Sequence, residues 1–123
     1  MKKLDTIFIT SSYRSGASLF TKMLNVNNKI KVSSGTINFF RYYYKKYDLI
    51  KKKTNYQSLI SQFCFRTKHR FGINLDYDEV IRDKEKSAFN YSDIYRLMCS
   101  KIFKNQKFTI TGEHAGNEWR NIP

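Results

Sequence analysis

The sequence predicts an α/β domain with a short parallel sheet and a helical insert. Near the start, an apolar run at residues 7–9 precedes a polar turn and then a segment with apolar side chains at helical spacing. Near the end, a second apolar run at 108–111 leads into a polar segment. The stretch between them has mainly helical patterns. Because few further strands are evident, we expect the chain to form only part of a larger sheet.

Composition favours one folded domain with anionic partners. The chain has 123 residues, which is enough for one modest domain, and its 9 Tyr and 10 Phe can supply an apolar core. It carries 23 Lys and Arg against 10 Asp and Glu, a formal net charge of +13. This excess favours binding to a nucleotide, a nucleic acid, a sulfated glycan or an acidic membrane surface, without choosing among them.

The cysteines and the apolar runs argue against a disulfide-rich, metal-binding or membrane-spanning protein. Cys64 and Cys99 have no metal-like spacing and do not make a disulfide framework, so we expect reduced core residues. No run is long and apolar enough to span a membrane. The basic start resembles that of a signal peptide, but its apolar run is too short and Arg14 interrupts the segment after it. The expected location is cytoplasmic.

The first strand and helix are predicted to frame an anion site. We expect a strand over residues 4–10 and a helix from a Ser15 cap to Val26. The helix has one apolar face, formed by Leu19, Phe20, Met23 and Leu24. Gly16 allows a ligand oxygen to approach the backbone closely. A loop between a buried strand and a helix start presents free N–H groups, and phosphate is their usual occupant.

The remaining elements are predicted from periodicity. Residues 29–33 read as a short strand or an extended loop, and 108–111 as a second convincing strand. The strand at 108–111 ends in Gly112-Glu113-His114, a predicted polar loop where open α/β sheets place functional groups. Helices are predicted over 37–47, with an aromatic face and a basic end, and over 56–70, 76–84 and 91–104.

The loop after the first strand does not fit the Walker pattern. Gly16 lacks the earlier glycine partner, and the basic residue, Arg14, comes before the glycine. Another kind of phosphate cradle is available, in which Arg14 supplies a fixed charge and Ser15 and Ser18 supply hydroxyl donors. The amides of residues 15–18 complete it.

Residues 13–19 carry a family resemblance. The run Tyr-Arg-Ser-Gly-Ala-Ser-Leu resembles the PRSGTTL or PKSGTTW loop of sulfotransferases, which holds the 5′-phosphosulfate of 3′-phosphoadenosine 5′-phosphosulfate. The tail at 112–119 is similar to the GEKTP-type segment of bacterial and Golgi-type members. The resemblance implies a partial three-layer, P-loop-like domain. Its parts would be a strand–loop–helix unit at 1–36, a substrate-side helical insert at 37–107, and a second core strand with its loop at 108–123.

The resemblance also implies roles for individual residues. Arg14 matches the basic residue that contacts the bridging oxygen and the sulfuryl group, so it would stabilise charge on the leaving phosphate. His114 is the candidate general base for a hydroxyl or amine acceptor, a glycan among the options, and Glu113 is less favoured. No metal is implied. The donor nucleotide would be held by Tyr13, Arg14, Ser15, Gly16, Ala17 and Ser18.

The chain departs from the family pattern, and alternatives remain. Tyr13 replaces the usual Pro and Ala17 the first Thr, so one hydroxyl donor is missing. An RDPR-like strand for the 3′-phosphate is also absent, so we expect only part of the nucleotide site. The rivals are a basic module that binds nucleic acid or polyanions, and a P-loop kinase-like protein with Glu113 as its Mg²⁺ carboxylate. Arg14 and His114 are, in the plainer interpretation, ordinary surface residues.

Overall fold

A computed structural model describes residues 4–10, 16–104 and 107–114 of the chain. Three β-strands and five α-helices are formed by these residues. In chain order they are β1 (Asp5–Ile9), α1 (Ala17–Asn25), β2 (Ile30–Ser34), α2 (Phe39–Tyr42), α3 (Lys53–Phe71), α4 (Tyr77–Ser87), α5 (Tyr91–Ile102) and β3 (Ile110–His114).

The three strands form one parallel sheet. Its order is β1-β3-β2, so the last described strand lies between the first two. Ile7 and Val32 both lie opposite Gly112, one on each side. The predicted α/β class with a short parallel sheet is therefore confirmed, and residues 30–34 are a strand rather than an extended loop.

Gly112 lets the first and last strands approach closely. A Cβ atom at this position would lie 1.8 Å from the carbonyl oxygen of Ile7. That distance is far inside any tolerable contact, and the obstacle is backbone that cannot rotate away. The pairing of β1 with β3 therefore requires glycine at this point.

The apolar core lies between the sheet and helices α2 to α5. On this face of the sheet, the Phe8 ring packs 4.7 Å from that of Phe40 and 4.6 Å from that of Tyr95, between centroids. The apolar stripes of α3 and α5 lie here, with Leu59, Ile60, Phe63, Ile94, Leu97 and Met98 among their residues. Cys64 and Cys99 are both free thiols, and Cys99 is fully buried, as expected of reduced core residues.

Helix α1 is rotated relative to the prediction. Its apolar residues point outward, with Leu19, Phe20 and Met23 exposed by 65%, 51% and 64%. Thr21 is buried instead, and Asn25, one turn further on, binds the backbone of β2. Residues four apart share a helix face, so these polar anchors set the rotation of α1.

The aromatic segment after β2 forms a shorter helix than predicted. The helix expected over 37–47 is confined to α2, and the backbone then turns through positive φ at Lys45 (56°) and Asp48 (53°). Phe39, Phe40 and Tyr43 are nevertheless buried in the core. The aromatic side chains therefore pack in the core, although the second half of the segment is not helical.

The later helices begin and end at recognisable caps. Asp76 accepts hydrogen bonds from the first-turn amides of α4, and Asn90 accepts one from the first turn of α5. Gly72, at φ 67°, ends α3 in a left-handed conformation. Among the described helices, none combines the length and the apolar character that a membrane crossing needs.

Candidate functional site at the carboxyl edge of the sheet

Parallel strands place their carboxyl ends at one edge. Ile9 and Ser34 lie on either side of His114, so all three strands end side by side. Helix α1 begins next along the chain from β1, after Gly16. Open α/β sheets bind ligands in the crevice outside this edge. The edge defined by Ile9, His114 and Ser34 is called the carboxyl edge below.

The predicted phosphate loop is only partly described. Tyr13, Arg14 and Ser15 lie outside the described residues, and so does the tail from 115 onward. Ala17 and Ser18 belong to the first turn of α1, but their side chains are not among those described. The structure shows the two flanks of the loop, which are the end of β1 and the start of α1.

Gly16 provides the start of α1. It is the residue before the helix, at φ 84°, which only glycine adopts without strain. Within the described part of the chain, no side chain caps the first turn. The first N–H groups of a helix have no intrahelical partner and carry the positive end of its dipole. This helix start can therefore receive an anion.

His114 is the last residue of β3 and not a loop residue. Side chains alternate along a strand, so His114 shares a sheet face with Gly112, Ile9 and Ser34. Glu113 faces the core of α2 to α5, so His114 lies on the opposite face, the one that α1 covers. Its carbonyl oxygen accepts the N–H of Gly35 at 3.0 Å. The predicted base thus lies at the same edge, and on the same face, as the start of α1.

Glu113 has a structural role and does not lie in the predicted polar loop. Its carboxylate is 0% exposed and accepts the backbone N–H groups of Asn38 and Phe39, each at 2.8 Å. Burial raises the pKa of Glu113, while those N–H groups and the Arg66 guanidinium oppose the increase. Both carboxylate oxygens bind the start of α2, and residues 110–114 form β3, so the prediction that Glu113 lies in a polar loop is wrong.

Arg66 is a buried structural residue beside the site that the sequence did not reveal. In the sequence it belongs to the basic end of the α3 helix, but in the structure it is buried, with 6% of its surface exposed. Its guanidinium donates to the carbonyl oxygens of Thr36 and Ile37, the second at 3.0 Å, and to that of Gly35 at 3.4 Å. It also lies over the Tyr42 ring, 4.4 Å from the centroid.

Glu113 and Arg66 together fix the turn after β2. The carboxylate holds its N–H groups and the guanidinium holds its carbonyl groups, so residues 35–39 are bound from both sides. Gly35 is also bonded to His114. This turn, called the Gly35 turn below, forms a rigid wall beside the carboxyl edge.

Compared with protein-family models, with curated proteins and with solved structures, the chain finds no match. Its own residues therefore define the site. The structure brings His114 and Gly16 to the same edge of a parallel sheet, and it removes Glu113 from that edge.

Proposed function

We propose that the carboxyl edge binds the phosphosulfate end of 3′-phosphoadenosine 5′-phosphosulfate and that the chain serves sulfuryl transfer to a hydroxyl or amine. The observation that carries this proposal is the position of the motif at 13–19. In the chain, this motif lies between the carboxyl end of β1 and the start of α1. The strand that pairs with β1 in the sheet, β3, ends in His114 at the same edge. This is the arrangement in which strand–loop–helix units bind phosphate groups.

The chain's residues can be given roles in this reaction. The donor supplies the sulfuryl group, whose bond to the phosphate oxygen breaks as a bond to the acceptor oxygen or nitrogen forms. Arg14 would stabilise the negative charge that grows on the leaving phosphate. The imidazole of His114 would take the acceptor proton. The Gly35 turn would form the wall of the site beside His114.

The kinase alternative loses its one candidate metal ligand. Glu113 would need a free carboxylate oxygen at the sheet edge to hold Mg²⁺. Its carboxylate instead binds Asn38 and Phe39 on the core side of the sheet. The contacts of Glu113 therefore argue against phosphoryl transfer through this residue.

The polyanion alternative rests on charge. The chain has a formal net charge of +13, and Lys51, Lys52 and Lys53 are exposed before and at the start of α3. A basic surface of this kind binds polyanions without a defined pocket, and its affinity falls steeply with salt. The two proposals therefore differ in where the anion binds and how salt affects it.

Calorimetric titration with adenosine 3′,5′-bisphosphate tests the proposal. The protein, its Arg14→Ala variant and an Arg82→Ala control are titrated at several salt concentrations; Arg82 is an exposed cation on α4. Hydrogen bonds to charged groups contribute ~1.5–3 kcal/mol, so Arg14→Ala should weaken binding about 10- to 150-fold. Arg82→Ala should leave it nearly unchanged. Equal losses in both variants, with a steep salt slope, would favour the polyanion module instead.

A further inference from the structure

We propose that the outer edge of β1, with the aromatic cavity beside it, binds an extended segment of a partner polypeptide as an added strand. The segment would carry apolar side chains in its centre and acidic residues at its ends. This inference is independent of the proposed nucleotide site, and its test uses no nucleotide.

The sheet covers one of its two edges with its own residues. On the outer side of β2, the N–H of Ile30 donates to the carbonyl oxygen of Asn27 at 3.1 Å. The Asn25 amide pairs with both backbone groups of Val32, at 2.7 Å and 2.8 Å. Unpaired strand edges attract other chains, and proteins commonly cover them in such ways. Along Ile30 and Val32, the β2 edge is therefore already occupied by the chain's own groups.

The outer edge of β1 has backbone groups that no described strand pairs with. The N–H of Asp5 donates to Thr109 at 3.1 Å, which fixes the side that faces β3. Backbone groups alternate along a strand, so those of Leu4, Thr6 and Phe8 face away from the sheet. The Leu4 carbonyl accepts the Arg96 side chain at 3.0 Å. Over the described ranges, no strand pairs with Thr6 and Phe8 on this side.

An aromatic cavity adjoins this unpaired edge. Its volume is about 420 Å³, and Thr6 and Phe8 form its sheet side. Rings from α2, from the turn after it and from α5 form the remaining walls, with Tyr44 and Tyr91 5.3 Å apart between centroids. Its further lining residues include Phe39, Phe40, Tyr91 and Tyr95. Strand addition uses backbone bonds for affinity and such pockets, which take alternate side chains, for specificity.

The charge of the protein indicates that the bound segment has acidic residues at its ends. Lys45 lines the cavity, is exposed, and is held at φ 56°, a conformation that a lysine seldom adopts. The chain as a whole carries a formal net charge of +13. Acidic residues flanking the apolar centre would therefore be attracted to this edge, while basic ones would be repelled.

A synthetic peptide tests the inference. The probe is Asp-Glu-Val-Phe-Val-Phe-Val-Glu-Asp with blocked ends, titrated by fluorescence anisotropy. Two further peptides carry N-methyl groups, one on both Phe residues and one on the three Val residues. The N–H groups of the Phe residues and those of the Val residues point to opposite sides of the added strand, so only one of these two sets can donate to β1. The peptide methylated on that set should bind at least about tenfold more weakly, while the other peptide keeps its affinity. Amide exchange should slow at Thr6 and Phe8.

A protein variant gives a second readout. The Thr6 N–H points away from β3, so Thr6→Pro removes a donor to the added strand without removing a bond of the sheet. Thr6→Val keeps the donor and is the matched control. We expect Thr6→Pro to weaken binding about tenfold and Thr6→Val to preserve it. Should Thr6→Pro not fold, the two methylated peptides decide alone.

Three results would overturn the inference. The first is an absence of saturable binding up to millimolar peptide. The second is an equal effect of the two methylation sets, since strand pairing uses only one. The third is binding that protects the exposed lysines of residues 51–53, and not Thr6 and Phe8, which would indicate charge attraction alone.

Discussion

The buried carboxylate of Glu113 offers the sharpest test of how the site is built. Glu113→Ala removes both acceptors of the Asn38 and Phe39 N–H groups, whose bonds are 2.8 Å long. It also leaves the buried Arg66 guanidinium without the nearby carboxylate. Glu113→Gln is the milder change, because its amide oxygen can still accept one of the two bonds.

The expected loss of stability comes from those contacts. Hydrogen bonds to a charged group contribute ~1.5–3 kcal/mol, and breaking a buried charge arrangement costs ~3–5 kcal/mol, so Glu113→Ala should lose about 3–5 kcal/mol. Glu113→Gln should lose roughly half as much. Domains are stable by only ~5–15 kcal/mol, so Glu113→Ala should approach unfolding at room temperature.

Urea unfolding followed by far-UV circular dichroism measures these losses. Asp5→Asn, the same acid-to-amide change on an exposed residue of β1, is the control and should stay within about 0.5 kcal/mol. If the free energy of unfolding of Glu113→Ala lay within about 1 kcal/mol of the original value, the reasoning would be refuted, since two hydrogen bonds to a buried carboxylate should contribute more than that.

The pH dependence of stability tests the state of the same carboxylate. Burial raises the pKa of Glu113 in the folded chain above its unfolded value of about 4.3. Between the two pKa values the folded chain binds more protons, so its free energy of unfolding falls as pH rises through that window. The difference in stability between the original protein and Glu113→Gln should therefore shrink from about pH 4 upward. A difference that grows with pH would show that the N–H groups and Arg66 outweigh burial.

Three further predictions concern packing and the thiols. Gly112→Ala should lower the free energy of unfolding in urea by at least ~3 kcal/mol, because its Cβ would meet the Ile7 carbonyl at 1.8 Å and the strands would have to separate; unchanged stability would mean that the strands are further apart. Asn25→Ala should cost ~1–3 kcal/mol through its two bonds to Val32, whereas replacing the exposed Asn28 should cost nothing measurable. Burial raises the pKa of the Cys99 thiol to about 12, so a disulfide reagent at pH 8 should leave it unmodified until the chain unfolds; rapid modification in the native protein would contradict its burial.

The parts of the fold that repeat a simple pattern could be predicted from the sequence. The first strand and the stripes of α3 and α5 match apolar periodicity, which reflects burial directly. The late strand is predicted over 108–111 but runs over Ile110–His114, because two of its buried residues, Thr111 and Glu113, are polar. The helix at 37–47 could not be predicted in full, because Lys45 and Asp48 adopt positive φ under tertiary constraints. The rotation of α1 could not be predicted either. It depends on the hydrogen bonds between Asn25 and β2, and the apolar periodicity of α1 does not show which strand this residue contacts.

The charged residues of the site were the hardest to assign. Glu113 stands in a polar run and Arg66 in a basic helix end, and both patterns usually indicate solvent exposure. Their burial depends on partners far away in the chain, at Asn38 and Phe39 for Glu113 and at Thr36 for Arg66. The predicted roles of Arg14 and His114 stay predictions, and the structure adds only that His114 lies at the edge of the sheet where β1 ends and α1 begins.

The most direct test of the central claim is to map where the donor nucleotide binds. Adenosine 3′,5′-bisphosphate is titrated into ¹⁵N-labelled protein at about 150 mM salt, and amide chemical shifts are measured by NMR. The proposed function predicts that the largest shifts lie at the carboxyl edge, at Gly16, Gly35 and His114. Shifts confined to the exposed lysines at 51–53 and the basic end of α3, with Gly16 and His114 unmoved, would contradict it.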